Sequence, residues 1–161
     1  MEMNYVVRDL ELRQTAVFDV IELYKLIKSW VKENKYSLFE REYENIKKEL
    51  LSTKIKFEAS KKIDEYTRFV IGIKFDIRDY EEAEVKNKKL VKGEIRFLFE
   101  SHVDTDYEDR LENRPIRKFL RAIYDRLIAR DKYEKYEKEL KDDTYNLYNE
   151  IKAFLNLYKL K

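Results

Sequence analysis

Cysteine is absent from this chain, glycine occurs twice, and proline and histidine once each. Each shortage closes a class of chemistry. Without cysteine there are no disulfides, zinc–thiolate centres, iron–sulfur clusters or thiol nucleophiles. The two glycines, Gly72 and Gly93, stand too far apart to build a phosphate-cradling loop or the elbow that presents a catalytic serine. One histidine, His102, leaves no multi-histidine metal site. Long apolar runs are missing as well, so no segment reads as a membrane span, and the first residues lack the signal-peptide pattern. No catalytic residue set and no cofactor motif stands out, which weighs against an enzyme.

What remains is a chain of 161 residues, 43% apolar, 14% aromatic and 42% charged. Disordered chains are poor in aromatics, so this composition predicts a folded protein, read as one domain over 1–161. Absent cysteine and secretion signal fit a cytoplasmic setting. The net charge is only +2, without the basic excess of a dedicated duplex-DNA binder. From Arg114 onward, however, thirteen basic residues face eight acidic ones. That segment is the part of the chain suited to an anionic partner.

Hydrophobic periodicity supplies the fold class. Residues 4–13 place Val6, Leu10 and Leu12 at alternate positions, with Arg8 interrupting, and read as a first strand. Residues 15–33 read as a helix, from Val17, Val20, Leu23, Tyr24, Ile27, Trp30 and Val31, with Asn34 as its stop. Between 36 and 104 the period falls to two. Ile55, Phe57 and Ala59 share a face against Lys54, Lys56 and Glu58. Phe69 to Ile77 and Ile95 to Phe99 alternate in the same way, as one-sided antiparallel sheets do. Asn87-Lys88-Lys89 reads as a hairpin turn, and the two glycines as bulges or bends.

Asn113-Arg114-Pro115 then opens a helix carrying Ile116, Phe119, Leu120, Ile123, Tyr124, Leu127 and Ile128. Asp142-Asp143-Thr144 reads as a break before a last amphipathic run. The expectation is therefore an α+β fold. An antiparallel sheet of four to six strands carries a long N-terminal helix and one or two long C-terminal helices, within 115–160, on one face.

Several clusters bear on function. His102, Asp104 and Asp106 alternate at a strand end and are the candidate metal or acid–base group, although an extended strand spreads them over roughly 13 Å. Arg114, Arg117, Lys118 and Arg121 lie off the apolar stripe of the 115–130 helix and are the candidates for gripping phosphates. Tyr133, Tyr136, Leu147, Tyr148, Ile151, Leu155 and Tyr158 form the candidate protein interface, and a homodimer through the C-terminal helices is the expected association. Nucleic acid and membrane are not expected as partners.

Three resemblances accompany these readings. Asp9, Glu11 and Arg13 are similar to the E-x-E-x-K triplet of the triphosphate tunnel enzymes, whose charges point into a lumen holding metal and phosphate. The stretch from Phe119 to Leu157, with Phe119-Leu120-Arg121 and Glu150-Ile151-Lys152-Ala153-Phe154-Leu155, resembles the C-terminal part of a group of small archaeal proteins, which implies an archaeal source. The order of helix, antiparallel meander and C-terminal helix looks like the helix-grip arrangement of START-like proteins, which implies an apolar cavity between sheet and helix. Two functions follow as expectations: a non-catalytic interaction or self-association domain, or a carrier of an apolar small molecule.

Overall fold

A computed structural model describes residues 2–47, 51–105 and 129–158. Five strands and two helices occupy them: β1 (Glu2–Phe18), α1 (Val20–Glu33), β2 (Ser37–Lys47), β3 (Leu51–Lys62), β4 (Thr67–Val85), β5 (Lys88–Thr105) and α2 (Ala129–Leu157). The strands form one sheet in the order β1-β5-β4-β3-β2. Every neighbouring pair is antiparallel. β1 therefore pairs with β5 at one edge of a meander that otherwise runs between sequence neighbours.

The alternating pattern becomes two unlike faces. Phe57, Ile73, Phe75, Ile77, Ile95, Phe97 and Phe99 turn inward and are buried. Both helices cover that side. α1 lays Leu23, Ile27, Trp30 and Val31 into the core. α2 runs along β1 and β5, with Leu140, Thr144, Leu147, Ile151 and Leu155 fully buried along one stripe. Burying each of the four leucine and isoleucine side chains contributes on the order of 2 kcal/mol. The helices are tied at their contact by Trp30 Nε1, which donates to Asn146 Oδ1 at 2.7 Å.

The boundaries differ from the sequence reading in ways the local chemistry explains. The helix expected over 15–33 begins at Val20, and residues 15–18 continue β1. Asp19 makes the switch, its carboxylate accepting from Ile21 N at 2.8 Å and Glu22 N at 3.4 Å. Ala16 and Phe18 are fully buried from the strand, not from a helix.

The hairpin between β4 and β5 turns at Lys86-Asn87, not at 87–89; both residues have positive φ (51° and 63°), the signature of a two-residue primed turn. Gly93 serves a close approach: a Cβ there would meet Tyr80 Cβ at 2.9 Å. The expected break at Asp142-Asp143-Thr144 is absent, because α2 continues through it. Thr144 returns its hydroxyl to Leu140 O at 2.7 Å, and Asp143 accepts from Tyr36 Oη at 2.7 Å. The helix expected from Pro115 to Ile128 lies outside the described residues.

Candidate functional site

The face of the sheet away from the helices divides into two regions of different character. Near the start of β1 and the end of β5, polar groups are enclosed. His102 and Asp104 are 7% and 1% exposed. His102 Nε2 lies 3.0 Å from Asp104 Oδ1, and Arg68 Nη2 donates to Asp104 Oδ2 at 2.6 Å. The Tyr5 ring packs against His102 at 5.4 Å between centroids, and the Arg8 guanidinium sits 4.3 Å over Tyr5.

Burial is the largest influence on the Asp104 carboxyl and would raise it. The His102 and Arg68 contacts together outweigh burial and hold it below its ordinary range. Arg68 and His102 thus occupy both carboxylate oxygens, so Asp104 is poorly placed to ligate a metal. No group of three metal-ligating residues forms among the described residues. Asp106, the third candidate, lies outside them, as do Arg114, Arg117, Lys118 and Arg121.

The second region is an open groove of about 370 Å³ in the middle of the same face. The register assembles it. Lys54 stands opposite Asp76, and Lys56 opposite Lys74. Across the next pair, Asp76 stands opposite Arg96, and Lys74 opposite Leu98. Arg78 joins these residues in lining the groove.

Five cationic side chains from three strands therefore meet one carboxylate. The arginines have partners: Arg78 Nε lies 3.0 Å from Asp76 Oδ2, and Arg96 Nε 3.2 Å from Glu11 Oε1. Among the described residues, no ion pair forms at Lys54, Lys56 or Lys74. Asp76 Oδ1 is buried and has no hydrogen-bond partner. Such an oxygen ordinarily finds a donor, because a buried acceptor left unmet costs about 1–3 kcal/mol.

The β1 triplet comes apart at this groove. Glu11 and Arg13 pair with Leu98 and Arg96 on the open face. Asp9 instead sits at a bulge with φ 52°, out of the alternation an E-x-E-x-K strand requires.

The expected interface on α2 is likewise divided. Leu147, Ile151 and Leu155 are fully buried in the domain's own core and offer nothing to a partner. Tyr136 packs edge-on against Phe69, and Tyr148 against Phe99. Tyr133 is half-buried, and burial, aided by Glu137 and Glu2, pushes its phenol up to about 12. Tyr158, 43% exposed, is the member of that set left at the surface.

The sequence reading named Lys54 and Lys56 as a wet face but not as a site. Comparison with protein-family models, curated proteins and solved structures finds no match. Among the described residues, no helix is long and apolar enough to cross a membrane.

Proposed function

We propose that this chain is a non-catalytic binding domain whose working surface is the open face of the sheet, and that its partner is anionic. One observation carries the reading: Lys54, Lys56 and Lys74 line one groove and, among the described residues, none of them forms an ion pair. Three unpaired ammonium groups held together by a rigid sheet repel one another, and an anion relieves that repulsion. Among the described residues, no nucleophile with a base beside it lines the groove, and the side chains that do line it support binding.

Among the described residues, the space beneath α1, among Leu23, Ile27, Phe57 and Phe97, is about 30 Å³, which lends the apolar-carrier reading no support. Small-molecule sites usually enclose about 300–1,000 Å³. Self-association through α2 loses its main support because the apolar stripe of that helix is already covered.

The test is calorimetric titration with inorganic phosphate, ribose 5-phosphate and a short single-stranded oligonucleotide at low and high salt. At least one should bind, and its affinity should fall as salt rises. Reversing charge in Lys56→Glu with Lys74→Glu should weaken binding by about tenfold or more without moving the melting temperature. Absence of binding by all three, or indifference to the charge reversal, refutes the reading.

A further inference from the structure

The cations of the groove continue beyond its rim. The β3–β4 register ends at Tyr80 and the β1–β5 register at Val91, so among the described strands the β4–β5 hairpin projects past its neighbours. Val91 packs against the core, which turns Lys92, and with it Lys88, to the open face. Both lysines are exposed, and among the described residues neither forms an ion pair. Glu82 stands opposite Val91, so Glu82 and Glu84 fall on the helix side, and Glu81 is on the open face opposite Lys92. The turn adds a further cation. Lys86 has φ 51°, a left-handed position that asparagine or glycine fills at lower cost.

The open face of β5 therefore runs Lys88, Leu90, Lys92, Glu94, Arg96, Leu98. At about 3.4 Å per residue this strip is about 34 Å long. Its inner end is the groove, which Arg96 and Leu98 line together with Lys54, Lys56 and Lys74. Glu94 is engaged by Arg13 at 3.7 Å. A compact anion seated in the groove leaves the hairpin tip out of reach, whereas a chain of phosphates laid along β5 meets both. The net charge of the whole chain, +2, conceals this concentration.

Two features select the kind of chain. Leu90 and Leu98 are partly buried and alternate with the cations. Sugar and base surfaces can cover them, while inorganic polyphosphate offers nothing apolar. The aromatic residue lining the groove, Phe75, is 4% exposed and turned to the core. Contact is then with the backbone of the strand and not by stacking on its bases.

We infer that the open face binds a single strand of nucleic acid along β5, whatever its base sequence. Its phosphates lie on Lys54, Lys56 and Lys74 at one end and on Lys86, Lys88 and Lys92 of the hairpin at the other. This inference rests on the anion-binding reading above and extends it.

The test measures fluorescence anisotropy of labelled oligodeoxythymidines of about four and about twelve nucleotides over a range of salt, with unlabelled inorganic polyphosphate as competitor. The longer strand should bind about tenfold tighter or more. Lys88→Gln with Lys92→Gln should weaken it about tenfold, lower its salt slope by about 0.7 for each lysine, and leave the shorter strand unaffected. Lys32→Gln with Lys141→Gln, exposed positions on the two helices, removes the same charge and should change little. Lys86→Asn, which suits the turn, should weaken binding of the longer strand without lowering the melting temperature, so a folding defect cannot account for the loss.

Equal affinity for the two lengths, or hairpin variants that behave like the helix control, overturns the inference and leaves the broader reading standing. So does polyphosphate that competes as well as the longer strand. Failure of both oligonucleotides, polyphosphate and inorganic phosphate to bind overturns both.

Discussion

Removing the carboxylate of Asp104 would leave Arg68 and His102 without the group that holds them together. Asp104 is 1% exposed and Arg68 32%, so the pair is enclosed on one side only. Breaking a fully buried pair costs about 3–5 kcal/mol, and the exposure of Arg68 lowers the expectation for Asp104→Asn to roughly 2 kcal/mol at neutral pH. The sign of the pH dependence follows from the depressed carboxyl. The contribution is present in full above the unfolded value, near pH 4, and is lost as pH falls through the folded one. Urea midpoints of the two proteins should therefore differ at pH 7 and draw together towards pH 3. A difference that stays constant across that range would show that the ionised form of Asp104 does not stabilise the fold. At this scale the sequence was partly legible: His102 and Asp104 stand out by type and spacing. Arg68 is 36 positions before Asp104, and only the β4–β5 register brings it there.

At the scale of elements, the apolar periods predict which segments are strand and which helix better than where they end. The run Ala16, Val17, Val20 fits a helix as well as a strand by apolar content, and the deciding signal is Asp19, a side chain able to cap the first turn. Asp142-Asp143-Thr144 misleads in the opposite direction. Its residues favour caps when they are exposed, but here Thr144 is buried and satisfies its hydroxyl within the helix. The covered stripe of α2 can be measured directly. Ile151 is fully buried, whereas Ile21 on α1 is 61% exposed. Ile151→Ala should cost about 3 kcal/mol of stability, and Ile21→Ala no more than about 0.5 kcal/mol. Denaturant unfolding of both variants decides the point. Similar small losses would mean that α2 is not docked on the sheet, and the self-association reading would regain its footing.

For the molecule as a whole, the α+β class and the two-faced sheet follow from the alternation of charge and apolar side chains between 36 and 104. The candidate site does not, because its residues lie on three strands and alternation fixes a side chain's face but not its cross-strand neighbour. Lys54 and Lys56 look like any solvated strand face until the register sets Lys74 beside them. The same topology makes the described elements interdependent. β1 reaches its place only by pairing with β5, the strand farthest from it in sequence, and α2 spans both. A sheet ordered in that way has no half that can bury its apolar face alone, which predicts one cooperative unfolding transition. Trp30 is a suitable reporter. It is 1% exposed and bonded to Asn146 where α1 meets α2, so its fluorescence follows the docking of the helices. Far-ultraviolet circular dichroism follows the sheet and helices together. The two signals should trace one curve in urea, with the same midpoint and slope. If Trp30 changes at lower denaturant than the dichroism, α2 leaves the sheet before the strands unfold, and the groove can then persist without the helices on the opposite face.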